Sequence, residues 1–143
     1  LQEHVRADKW ELVVAEAFQA IGFKIELLGQ NAKGKAVPDC IATYTSPTGQ
    51  ILELVVDAKA GHWNGAIDDI RAMQDYHAKC NTFSYPIFVA NTLSKDVRKK
   101  LRDHVMQSRI PSAISGRDLA LMICQRLTSP GFNVEMVMKR VLH

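Results

Sequence analysis

No stretch of this sequence is apolar for long enough to cross a membrane, and the opening residues LQEHVRADKW lack the layout of a secretory signal. Cysteine is scarce and scattered: Cys40, Cys80 and Cys124 are odd in number, far apart and without a C-x-x-C spacing. That argues against a disulfide framework and a zinc site, and for a reducing, cytoplasmic compartment. Internal repeats and low-complexity segments are also missing. Neither sign of charge is in large excess. A net charge of +3 permits a polyanionic partner without demanding one, so function has to be sought in local placement. What is present is ordinary: 143 residues, 47% hydrophobic and 23% charged, enough for one domain with a sizeable core. The chain starts at Leu rather than Met, which reads as one domain of a longer polypeptide.

Trp10, Val13, Val14, Ala17, Phe18 and Ile21 recur at helical spacing and predict an amphipathic helix over about residues 4–21, ended by Gly22. FKIELLG reads as a short strand, QNAKGKAV as a polar loop, and PDCIATYT as a second strand with Pro38 at its start. SPTG, residues 46–49, has turn chemistry, and QILELVVDAKA returns as a third strand that HWNG breaks. Asn64 is a candidate cap for a helix over about 65–80, and YPIFVAN is a strand apolar on both faces. Ser94 is a candidate cap for SKDVRKKLRDHVMQ. IPSAI then reads as a short strand, with GRDLALMICQRL and NVEMVMKRVL as helices. The order is αβββαβ with a helical C-terminal extension: an α/β (α+β) chain whose mixed sheet is flanked by helices.

A bend centred near residue 48 pairs positions whose numbers sum to about 95 or 96, so Asp39 lies across from Val56 or Asp57. Asp57 and Lys59, two apart on one strand, share a face. Two carboxylates at close range repel unless a cation sits between them or one keeps its proton. A hard divalent ion held by a few oxygens and several waters is what Mg²⁺ prefers, and such an ion activates water and stabilises charge on a phosphoryl oxygen. Lys59 would orient or deprotonate that water, or offset developing charge. A third carboxylate is expected from the first helix. Glu11 sits at the flank of its apolar stripe, whereas Glu16 points well away, so Glu11 is preferred.

PDCIATYTSPTGQILELVVDAKAG, a P-D followed by seventeen residues and D-x-K, resembles the PD-(D/E)xK nuclease superfamily. Within it, the chain is similar to the cleavage domain of type IIS restriction endonucleases of the FokI kind. AIDDIRAMQDYH, YPIFVAN and ISGRDLALMI have similar character in similar order, so the likeness runs from about Trp10 to Val141. The resemblance implies a restriction-endonuclease-like core and one nuclease catalytic domain over residues 1–143, cut from a larger protein. It implies Asp39 and Asp57 as metal-binding acids, Lys59 as the catalytic lysine, and the Ala58 backbone carbonyl as a further ligand, with Glu11 a possible one. The implied activity is Mg²⁺-dependent hydrolysis of phosphodiester bonds in double-stranded DNA, with Mn²⁺ able to substitute and recognition left to a separate domain. It also implies a transient homodimer through helix 65–80, where Arg71 of one copy meets Asp75 of the other, in the reverse order to the family's usual one. Cys40 follows the P-D where a small or aliphatic residue is common. Gln74 and Tyr76 do not make the Q-x-x-x-Y of RecB-like nucleases.

Blander readings stand beside these. Either half of the motif alone would be an ordinary turn or strand end, and Arg71 and Asp75 are also an i, i+4 pair within one helix. His62 and Trp63 read better as loop anchors than as a proton shuttle and a DNA contact. Lys95, Arg98, Lys99 and Arg102 form a basic stripe that is a solvated face before it is a phosphate track. The rival functions are a structure-selective nuclease resembling Mrr or Holliday-junction resolvases, and a non-catalytic DNA-binding or assembly module on the same fold.

Overall fold

The computed structural model describes residues 2–29, 37–81, 83–104, 106 and 109–142, with side chains from residue 7 onward. In chain order its elements are α1 (Gln2–Ile21), β1 (Lys24–Leu27), β2 (Cys40–Thr45), β3 (Ile51–Trp63), α2 (Ile67–Ala78) and β4 (Tyr85–Leu93). They continue with α3 (Val97–Arg102), β5 (Ser112–Ser115), α4 (Gly116–Thr128) and α5 (Val134–Lys139). The expected αβββαβ order with a helical extension is therefore found. Most of the predicted loop QNAKGKAV lies outside the described residues. No helix among the described residues is long and apolar enough to cross a membrane.

The strands form one mixed sheet in the order β1-β2-β3-β4-β5. β1, β2 and β3 run antiparallel in succession, while β4 and β5 lie parallel to β3. Alternation along the central strands divides the core in two, as the period of a strand requires. Leu54, Val56, Ile87 and Val89 pack with Val14, Phe18, Leu119 and Met138, contributed by α1, α4 and α5. Val55, Phe88 and Ala90 pack with Ile70, Met73, Val97 and Leu101, contributed by α2 and α3. Truncating a fully buried residue such as Phe88 to Ala would cost about 3–5 kcal/mol.

Four local expectations need correction. Val13 is 50% exposed, because the α1 stripe that meets the sheet is narrower and runs through Val14, Ala17, Phe18 and Ile21. β3 continues past residue 60 to Trp63: a register shift between Lys59 and His62, with Gly61 at φ 81°, lets His62 pair with Thr92 and Trp63 with Leu93. Asn64 does not cap α2. The helix begins after Ala66, without a side-chain cap, and the Asn64 carbonyl instead accepts from Lys100 Nζ at 2.9 Å. Nor does Ser94 cap a long helix. α3 is six residues long, and the chain beyond it is drawn into a bridge in which Met106 and Arg109 exchange main-chain hydrogen bonds. Of the predicted basic stripe, Lys95 therefore precedes the helix. Arg98, Lys99 and Arg102 are exposed on it, with Arg98 3.8 Å from Asp118.

Candidate active site

The site is built at the far end of the β2–β3 hairpin. Ser46 N–H donates to the Gln50 carbonyl and Gly49 N–H to that of Ser46, which fixes the bend where the sequence placed it. From there the register runs Thr45 to Ile51 and Cys40 to Val56, so the next position brings Asp39 opposite Asp57. Asp39 is pinned through its main chain: its N–H donates to the Val56 carbonyl, and its own carbonyl accepts from Leu28 and Gly29. One carboxylate oxygen, Oδ2, accepts from the Ala58 N–H at 2.7 Å. Asp39 thereby spans the strand that carries Asp57 and Lys59.

Glu11, Asp39 and Asp57 act on one another's protonation in turn, so the three acids form a row from α1 across the hairpin. Glu16 is exposed, in keeping with the helical phase that separated the two glutamates. Lys59 Nζ lies 3.0 Å from Asp57 Oδ2 and 3.1 Å from Asp69 Oδ1. Glu11, Asp39, Asp57 and Lys59 line a cleft of about 580 Å³ together with His62 and Tyr76. A smaller hollow of about 380 Å³ lies at the opposite end of the strands among Ile51, Tyr85, Arg109 and Met138, and contains no paired acids.

Burial dominates the protonation of the acids. It pushes Asp39 up to about 6, against the hydrogen bonds from Asp57 and the Ala58 N–H. It pushes Asp57 up to about 8, against the pull of Lys59 and with the nearby Asp39 charge adding to the rise. Glu11 is raised as well, by burial first. For Lys59 burial works to lower the ammonium's affinity for its proton, but Asp57 and then Asp69 outweigh it and the value rises. Lys59 is an ammonium, and with Asp69 beside it that state does not require a charge on Asp57.

The donor set fits a hard divalent cation. Asp57 Oδ2 is buried and makes no hydrogen bond, although the Lys59 ammonium stands 3.0 Å from it as an ion pair. A cation would relieve that atom and reverse the acids' reluctance to ionise. No three His, Cys, Asp or Glu side chains among the described residues are gathered so as to hold an ion by themselves. Mg²⁺, bound through one or two carboxylates and several waters, needs no such cage.

Three contributors were not singled out from sequence. Asp69, in the first turn of α2, meets Lys59, and Tyr76, two turns further along the same helix, lines the cleft. Their i, i+7 spacing was a usable signal. Gly29 is the third: a Cβ there would stand 3.1 Å from Asp39 Oδ1 and 3.5 Å from Glu11 Oε2, so a side chain would press on the acids. His62 and Trp63 are anchors. Both His62 ring nitrogens meet hydroxyls, of Thr92 at 2.8 Å and Ser94 at 2.9 Å. Trp63 is buried and stacked on Phe88, with ring centroids 4.2 Å apart. Arg71 and Asp75 are exposed on α2, and no ion pair joins them among the described residues.

Residues 1–140 match the family described as FokI, cleavage domain. The chain belongs to that family. Among solved structures, restriction endonuclease FokI bound to DNA matches at a TM-score of 0.75 and 18% identity, covering 96% of this chain and 27% of that one. MspJI restriction endonuclease in complex with a 27-mer oligonucleotide matches at 0.47 and 14%, covering 91% of this chain and 30% of its own. The latter score is too low to establish a shared fold. No curated protein matches in sequence. The chain thus spans about a quarter of the FokI chain it resembles. Membership of the FokI cleavage-domain family agrees with the mixed-sheet fold described above.

Proposed function

We propose that this FokI-family domain hydrolyses phosphodiester bonds of double-stranded DNA with Mg²⁺, Mn²⁺ substituting, as the cutting part of a type IIS-like restriction enzyme. Target recognition lies in a separate domain. The observation that carries this reading is the meeting of Asp39, Asp57 and Lys59 in one cleft, with Asp57 Oδ2 lacking a hydrogen-bond partner.

Asp39 and Asp57 would hold the ion, with the Ala58 carbonyl and Glu11 as further ligands. Bound there, it would supply Lewis acidity to activate water and to stabilise charge on the phosphoryl oxygen. Lys59 acts as a cation. An ammonium whose proton is held more tightly than usual is poorly suited to take a proton from water, but well suited to orient one and to balance charge on the phosphate. Two strands require two such sites, and α2 offers Arg71 and Asp75 for an antiparallel contact between copies, Arg71 to Asp75 twice. Three free cysteines, one of them buried, suit a cytoplasmic setting of the bacterial kind.

Supercoiled plasmid nicking tests the assignment. With Mg²⁺ the domain should nick and then linearise the plasmid, at a rate that climbs more steeply than protein concentration because two copies act together. Asp57→Ala and Lys59→Ala should each be inactive while retaining the folded circular-dichroism spectrum. Parent-like cutting by either variant, or cutting that persists in chelator, would refute the site.

A further inference from the structure

Asp69 occupies a place that an ordinary helix-initial acid does not. An acid in the first turn is favourable to any helix through the macrodipole, and its neighbour Asp68 serves that purpose equally well. Asp69 does not cap the helix, since α2 has no side-chain cap hydrogen bond. Both of its oxygens are instead directed at side chains of β3. Oδ1 lies 3.1 Å from Lys59 Nζ, and Oδ2 accepts from Trp63 Nε1 at 2.7 Å. The indole that orients it is itself fixed, 5% exposed and stacked on Phe88 at an interplanar angle of 27°. The carboxylate is therefore held at its backbone by α2 and at its tip by a buried ring.

Lys59 has a second carboxylate, Asp57, but the two are not equivalent. Asp57 is almost fully buried and lines the cleft with Glu11 and Asp39, whereas the Asp69 side chain is 31% exposed and stands outside that row of acids. A divalent ion on Asp57 would compete with the ammonium for the same oxygen and repel it at short range. With Asp57 alone, Lys59 would then be pushed out of the cleft.

We infer that Asp69 is a positioning residue: it retains the Lys59 ammonium, aimed into the cleft, whenever Asp57 is engaged by a metal ion. The inference rests on the nuclease reading for its consequence, though the hold itself can be observed without any cutting. It also joins the reactive lysine to α2, the helix proposed to meet a second copy.

The test compares Asp69→Asn, which keeps an acceptor for Trp63 Nε1 and removes the charge, with Asp69→Glu, which returns it. In single-turnover cleavage at saturating protein, Asp69→Asn should be slower by roughly tenfold to a hundredfold, the range usual for groups that orient a metal site's working residues. Asp69→Glu should recover part of the loss. DNA affinity measured in Ca²⁺ should match the parent's in both. The independent readout is the ¹⁵N-correlated ammonium resonance of Lys59, identified by its disappearance in Lys59→Met. With Ca²⁺ bound it should persist in the parent and be lost to fast exchange with water in Asp69→Asn. Parent-like cleavage by Asp69→Asn, equal loss of DNA affinity, or an ammonium signal unchanged by the substitution would each overturn the inference. A parent that never cuts, with the signal behaving as described, would instead sink the nuclease reading and leave the hold standing.

Discussion

Removing the charge of Asp57 should stabilise the metal-free domain, by an amount that grows with pH. The acid's ordinary value is 3.8 and its value in the fold is about 8, so between those limits the folded state keeps a proton that the unfolded state has released. Stability contributed by a raised pKa is fully present below the unfolded value and is lost as pH rises toward the folded one. At pH 7 the unfolded acid lies about three tenfold steps into ionisation, each worth about 1.4 kcal/mol, which sets a ceiling on the order of 4 kcal/mol. Relaxation of the cleft and entry of water around the carboxylate reduce this to roughly 2 kcal/mol in expectation. For a domain of this size that is on the order of 5–10 °C in melting temperature. Thermal unfolding in chelator from pH 4 to pH 8 should therefore show the parent melting progressively lower relative to Asp57→Asn, with the two nearly equal at pH 4. Adding Ca²⁺ should raise the parent at pH 8 and leave Asp57→Asn almost unmoved. Curves for the two proteins that stay parallel across the whole range would refute the claim that desolvation governs this carboxylate.

Glu11→Gln should lose most of the cleavage activity while Glu16→Gln keeps the parent's, because only Glu11 reaches the cleft; equal activities for the two variants in the plasmid assay would remove Glu11 from the site. Gly29→Ala should weaken the response to Mg²⁺ by about tenfold without greatly changing stability, since its Cβ would press on Asp39 Oδ1 and Glu11 Oε2. A Mg²⁺ titration of cleavage rate checks this, and an unshifted midpoint would show that the acids have slack to move.

The central part of the site was legible because it depends on one bend and one period. Once SPTG is taken as the turn, the alternation of a hairpin leaves little freedom in what faces Asp39. Glu11 could be separated from Glu16 because helical phase is equally rigid. Asp69 escaped notice for a different reason. Spacing on α2 says which residues share a side, but nothing local says which strand that side covers. The two misplaced caps differ in origin: α2 starts after Ala66, two residues beyond Asn64, while the Ser94 hydroxyl is engaged by His62. Competing long-range partners are invisible to a local rule. The brevity of α3 is similar, because the bridge between Met106 and Arg109 forms against the helical pattern of the residues before it.

β3 is zipped to a neighbour along each edge, antiparallel to β2 and parallel to β4. Sliding it by a single residue would break both seams at once and turn Asp57 and Lys59 toward the opposite layer. The strand therefore works as a jig: lengthening the 46–49 bend should be tolerated so long as both seams survive, whereas one residue added between Val56 and Lys59 should disarm the domain.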